Sequence, residues 1–396
     1  MKEKQTLKTL YTKLCATTVF RGALKTKLFK AFCECMRAER RDEKLLAYGR
    51  FVEEIYSSGN ASLTKACQKM VFEDENVYVK GVAAKTQFPN VVLQTVKKEL
   101  QTFSAFAALT TSDFATEIGV EEDVLALFTS EEVDLVGEYE KRLKDLHKYG
   151  YGIFSSSAMF RVSDDGKIER ILSADKTEIQ NFVGYESERD KVVENTIAFL
   201  EGRPALNVLL CGDAGTGKSS TVKAVVNEFF ERGLRLIELR KDQLGYIPKV
   251  MGQVRGNPLK FIIFIDDLSF NQNDDNFSML KASLEGSAAA RSENAIIYAT
   301  SNRRHIIKEN FADRDGGDVH RNDTLQETLS LSERFGLVVY FGRPDKKLYL
   351  EIVRELAKRR GVTKDVATLE LEAEAFALKK GARSARCAEQ FIDSLL

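Results

Sequence analysis

The second half of this chain is predicted to form an α/β fold: a parallel sheet covered by helices, closed by a C-terminal helical lid and preceded by a mostly helical N-terminal domain. Three observations predict it. Residues 212–219 read Gly212-Asp213-Ala214-Gly215-Thr216-Gly217-Lys218-Ser219, a full match to the phosphate-binding loop pattern G-x-x-x-x-G-K-[ST]. From about residue 180, short apolar runs alternate with helical stretches, the pattern of β–α units. Before residue 150 and after Pro344, by contrast, the sequence reads as helices, with apolar residues recurring at helical spacing in the front part.

The loop carries the most chemistry. Apolar Val208-Leu209-Leu210-Cys211 precedes it and a helix-compatible run, 219–230, follows, so the motif stands in the strand–loop–helix context that its function requires. Its glycines let the backbone fold around phosphate oxygens, with N–H groups pointing inward and a helix N-terminus adding positive potential. Loop residues Gly212 through Gly217 and Ser220 would cradle the phosphates. Lys218 would reach the β- and γ-phosphates, and the Ser219 hydroxyl would ligate Mg²⁺.

Residues 1–150 read as helical. Leu7, Leu10, Tyr11 and Leu14 recur at helical spacing, as do Leu45, Leu46, Tyr48, Phe51, Val52 and Ile55, with breaks near Gly59-Asn60 and Pro89-Asn90. Charge divides this part: residues 1–70 hold 15 Lys/Arg against 7 Asp/Glu, and residues 71–150 hold 8 against 15. The two halves either neutralise each other within one domain or form a polar contact surface. Residues 151–180 read as a connector, where Ala158 to Val162 and Ile168 to Leu172 flank Asp164-Asp165-Gly166 as a hairpin. The core, 181–343, offers strands at 207–211, 234–239, 261–265, 295–300 and 337–341. The lid, 344–396, offers helices at 348–358, 368–379 and 384–395.

Composition narrows the class. The chain is 43% hydrophobic and 30% charged with zero formal net charge, which places it among soluble globular proteins and offers no overall field for nucleic acid. No run of about 18 apolar residues is present to span a membrane. The first 30 residues lack the apolar stretch of a signal peptide, and the six cysteines form no disulfide framework, so a cytoplasmic location is expected. Three histidines argue against a His-based hydrolase or zinc centre.

Beyond the loop, Phe261 to Ile265 is an apolar strand ending in Asp266-Asp267. At the carboxyl end of a parallel sheet such acids face the ligand crevice. Asp266 would hold Mg²⁺, and Asp267 would orient or deprotonate an attacking water, unless the pair only caps a helix. The next strand ends Thr300-Ser301-Asn302-Arg303-Arg304-His305. Asn302 would hold the lytic water, or serve as a turn residue. Arg334, before the last strand, would complete a neighbouring subunit's site or pair with a nearby acid. On the lid, Arg386, or Arg383 in its place, would touch the γ-phosphate and convert hydrolysis into hinge movement.

These residues together resemble the AAA+ ATPases over 180–396. The loop is similar to their Walker A, Ile265-Asp266-Asp267 to Walker B, Asn302 to sensor 1, Arg334 to the arginine finger and Arg386 to sensor 2. Gly215 to Ser220, Phe264-Ile265-Asp266-Asp267-Leu268-Ser269-Phe270 and Tyr298 to His305 resemble more narrowly a bacterial family of predicted AAA+ ATPases with no assigned biological role. The resemblance implies strand order 5-1-4-3-2, a helical lid, adenine held between lid and core, and Val183 and Tyr185 as base contacts, Tyr185 reading equally as core. Many members carry Asp-Glu at Walker B. Asp-Asp, with its shorter second side chain, implies slow turnover and occurs also in initiator- and helicase-loader-like members. No guanine-reading Asn-Lys-x-Asp is present, which favours ATP over GTP.

The expected function is a Mg²⁺-dependent, oligomeric ATPase, converting ATP to ADP and phosphate and remodelling or loading a macromolecular partner. Two alternatives are a nucleotide-gated binding module with little hydrolysis and a DNA-associated, helicase-loader-like ATPase. The latter lacks a helix-turn-helix or stacking motif.

Overall fold

Among the described residues, seven strands form one sheet in the order β2-β1-β4-β5-β6-β3-β7. They are β1 (Met159–Val162), β2 (Ile168–Arg170), β3 (Val208–Gly212), β4 (Leu234–Leu239), β5 (Lys260–Ile265), β6 (Ala295–Ser301) and β7 (Leu337–Phe341). The structure is a computed structural model that describes residues 6–57, 59–172, 177–268, 279–280, 284, 293–302, 334–381 and 383–396. The chain divides into two units, Met1–Ser156 with Gly256–Pro258, and Ser157–Arg255 with Leu259–Leu396.

Among the described residues of the first unit, nine helices surround a core rich in phenylalanine. They are α1 (Leu7–Cys15), α2 (Lys27–Arg37), α3 (Arg41–Tyr56), α4 (Leu63–Phe72), α5 (Val77–Ala83), α6 (Asn90–Ala107), α7 (Thr111–Ile118), α8 (Leu135–Lys144) and α9 (Leu146–Tyr149). Phe20, Phe32, Phe51, Phe103, Phe106 and Phe114 are fully buried, each burial contributing about 1.5–3 kcal/mol. Phe32 and Phe106 meet edge to face with centroids 4.9 Å apart. Side-chain caps start several helices: Thr26 before α2, Ser62 before α4, Asn76 before α5, and a Thr110–Asp113 capping box before α7. The Glu99 carboxylate, on α6, accepts from the consecutive amides of Thr18, Val19 and Phe20 at 2.6–3.2 Å. Lys44 of the basic half pairs with Glu117 of the acidic half at 3.0 Å, both mostly buried, so the two halves meet within this unit.

In the second unit, β3, β5 and β6 are buried on both faces. Val208, Leu210, Leu234, Leu236, Ile262 and Phe264 share one buried cluster with Val192 and Phe199 of α10 (Glu186–Leu200) and Val222, Val225 and Val226 of α11 (Lys218–Glu228). The intervening Leu209, Ile237, Phe261, Ile263 and Ile265 are equally buried. Helix α12 (Ile247–Val254) lies between β4 and β5 in sequence. All five core strands run parallel. Counted from the loop strand β3 as first, the order β7-β3-β6-β5-β4 is 5-1-4-3-2, as the resemblance implied.

The hairpin expected near 158–172 forms, but it is also part of the sheet. β1 pairs antiparallel with β2 and parallel with β4, with Phe160 opposite Ile237. Met159, Phe160 and Val162 are buried, which gives the added strand an apolar anchor. Three lid helices follow β7: α13 (Lys346–Arg359), α14 (Val366–Lys380) and α15 (Ala385–Asp393). They bury their own cluster around Tyr349, Val353, Ala373, Phe391 and Ile392. Among the described residues, no helix is long and apolar enough to cross a membrane.

Candidate nucleotide-binding site

The phosphate-loop motif closes on itself at the end of β3. Gly212 has φ 135°, and a Cβ there would lie 2.0 Å from the Phe341 carbonyl oxygen, so only glycine lets β3 pass β7 this closely. The Asp213 amide then donates to that same oxygen at 3.1 Å. Thr216 closes the turn by donating its hydroxyl to the Asp213 carbonyl at 2.9 Å. Gly217 precedes α11 in the left-handed region, where the helix N-terminus presents its amides.

Lys218 is only 5% exposed. Its ammonium donates to the carbonyls of Gly212 (3.0 Å) and Asp213 (2.6 Å). Burial pulls its pKa down, opposed by the charges of Asp213, Cys211, Asp266 and Asp267.

The acids at the tip of β5 stand beside the loop. One oxygen of Asp266, Oδ1, accepts from the hydroxyls of Ser219 and Thr300, both at 2.5 Å, and from the Asp267 amide at 3.1 Å. The Asp267 amide also donates to Thr300 Oγ1 at 2.9 Å. Asp267 has φ 53°, uncommon outside glycine, and this turn sends its carboxylate to Asn302, whose Nδ2 donates at 2.7 Å. Asp266, Asp267 and Asn302 are therefore neighbours across the tips of β5 and β6.

A cavity of about 390 Å³ runs from this cluster to the lid. Loop residues Ala214 to Ser220 line one end with Asp266, Asp267, Thr300 and Asn302. Phe182, Val183, Tyr185 and Arg189 line another wall, and Ile352, Leu356, Arg386 and Glu389 close it from the lid. Val183 also packs against the lid cluster. Tyr185 lines the cavity and packs on the core: its ring lies 5.5 Å from that of Phe341, and its hydroxyl donates to the Gly342 carbonyl at 2.6 Å. Burial pushes that hydroxyl's pKa up to about 12.

On the lid, Arg386 lines the cavity and its amide donates to the Gly215 carbonyl at 3.2 Å. Arg383 is turned to Glu374, which it holds through two bonds of 2.9 and 2.8 Å. Arg334 does not line this cavity. Leu337 pairs with Val208 and Phe341 with Gly212, so Arg334, ahead of Leu337, stands at the end of β7 remote from the loop. Arg303, Arg304 and His305 lie outside the described residues.

Sequence reasoning missed Thr300, Phe182, Arg189, Ile352, Leu356 and Glu389. Thr300 had a signal, a hydroxyl at the tip of the strand after the acidic one. Ile352 and Leu356, four apart on a lid helix, read equally well as lid core.

Strand order, loop and acid cluster together define an AAA+ nucleotide-binding fold. The family described as "Protein of unknown function (DUF815)" matches residues 155–396, more than half of the chain, and the chain belongs to that family. No curated protein matches the chain. Among solved structures, the Thermotoga maritima RuvB Holliday junction branch migration motor is similar at 15% identity, covering 56% of this chain and 72% of that one, with a TM-score of 0.35. A point mutant of that motor overlaps to the same degree, at 15% identity, 55% and 72% coverage and a TM-score of 0.36.

Proposed function

We propose that this protein binds ATP with Mg²⁺ in the 390 Å³ cavity and hydrolyses it to ADP and phosphate, as an oligomer acting on a macromolecular partner. The observation that carries the reading is the convergence of Ser219 and Thr300 hydroxyls on one oxygen of Asp266 beside a buried Lys218. A hydroxyl and a carboxylate are the hard oxygen donors that Mg²⁺ takes, and a desolvated ammonium beside inward amides suits a polyphosphate. Ser219 and Asp266 would hold the ion, which would supply positive charge to offset that of the phosphates.

The chain's own groups supply the rest. Lys218 exchanges its two loop carbonyls for phosphate oxygens. Asp267, positioned by Asn302, accepts the proton of the attacking water. Arg386 reports the γ-phosphate to the lid, and Arg334 acts on a neighbouring subunit's site. Six thiols, five of them buried, agree with a reducing cytoplasm. Phosphate release should fall to background in Lys218→Ala while the fold persists by circular dichroism. Equal rates in wild type and variant would remove the enzymatic reading.

A second reading, a nucleotide-gated module with little turnover, is favoured by one observation: Asn302 occupies a carboxylate oxygen of Asp267, the group proposed as base. Calorimetric ATP binding without phosphate release would select it.

A further inference from the structure

The segment 180–185 is laced alternately to the lid and to the core. Arg359, the last residue of α13, donates through Nη1 to the Asn181 carbonyl at 2.6 Å and through Nη2 to the Gln180 carbonyl at 3.4 Å. Glu355, one turn earlier, holds its Nε at 2.9 Å, so the fork is aimed. The next residue, Phe182, belongs to the core side. Its ring lies 3.9 Å from where a Cβ of Gly217 would stand, and the Arg189 guanidinium sits 5.5 Å from the ring centre. Val183 then joins the lid cluster, and Leu348 of α13 presses on Gly184, leaving 2.4 Å for a Cβ that glycine does not have. Tyr185 returns to the core through Gly342.

We propose that Arg359 is a positioning residue of the nucleotide site: it holds two carbonyls from the lid and thereby fixes Phe182 over the phosphate loop. The proposal rests on the nucleotide reading above. Arg359 itself does not line the cavity, so it acts through the segment it grips. The fork matters chemically. A guanidinium offers two coplanar N–H groups to two successive carbonyls, whereas an ammonium is a point charge with no fixed plane. The guanidinium is exposed, so the contact depends on the fixed geometry of the fork rather than on burial.

The test uses the full chain, a fluorescent ATP analogue and stopped-flow displacement. Arg359→Ala should release the analogue about tenfold faster, the effect of losing one charge-assisted contact, with kcat at saturating ATP nearly unchanged. Arg359→Lys should recover only part of the loss. Arg354→Ala, which removes a lid ion pair to Glu370 on the same helix, is the control and should release at the wild-type rate. Amide exchange over 180–185, measured without nucleotide, should rise in Arg359→Ala and not in Arg354→Ala. Wild-type release from Arg359→Ala, or equal acceleration in both alanine variants, overturns the proposal. Should wild type take up no analogue, the nucleotide reading itself fails, and exchange over 180–185 still decides whether Arg359 holds the segment.

Discussion

Asp74 shows how one buried side chain sets a pH response. It is 5% exposed, accepts from Asn76 Nδ2 at 3.3 Å and from the amides of Ala23 and Gly22, and stands near Glu99. Burial pushes its pKa up to about 6 in spite of those donors. An unfolded aspartate loses its proton near pH 3.9. Between these values the folded chain binds the extra proton, so this residue's contribution to stability is full at the acidic end, declines as pH rises through about 4 to 6, and is lost above. Asp74→Asn should therefore gain on wild type by about 3 kcal/mol across that window. Denaturant melts below and above it measure the difference, and a pH-independent gap would contradict the assignment.

At the scale of elements, the lid discriminates between two arginines three positions apart. Arg386 faces the cavity from the first turn of α15, while Arg383 is spent on Glu374, whose pKa that pairing lowers. Arg386→Ala should cut ATP turnover at least about tenfold, the scale of one lost charge contact in the transition state, and leave the lid folded. Arg383→Ala should loosen the lid, seen in its melting, with a smaller effect on turnover. The reverse ranking in a phosphate-release assay would reassign the sensor. The central strands β3, β5 and β6 were legible because burial on both faces writes itself as unbroken apolar runs, as in Phe261 to Ile265. The attachment of β1 to β4 was not, since it pairs residues about 75 positions apart and leaves no local trace. In the site, Walker-type residues were readable from spacing alone. Phe182, Arg189, Leu356 and Glu389 come from three separate segments, and only packing brings them to one cavity. Asn302 was read as a partner of water, and the structure gives its amide a protein partner in Asp267.

For the molecule as a whole, the placement of Arg334 bears on assembly. Sequence reasoning expected it to complete a neighbouring subunit's site or to pair with a nearby acid, and it stands at the end of β7 away from its own chain's loop. If it serves a neighbouring copy, Arg334→Ala should bind ATP normally and lose most hydrolysis. Mixing it with Lys218→Ala should then restore part of the activity, because some junctions would pair an intact Arg334 with an intact Lys218. Activity of the mixture no greater than the sum of its parts would exclude a shared site. The zero net charge of the chain likewise favours a partner met through local patches over one drawn by long-range attraction. Finally, Gly212 ties the ligand cradle to its scaffold. Its missing side chain makes room for the Phe341 carbonyl, which in turn receives the Asp213 amide, so the octapeptide is shaped partly by a residue 129 positions downstream of Gly212. Anyone transplanting this octapeptide into another protein would have to bring along that foreign oxygen, or find the graft open at its first residue.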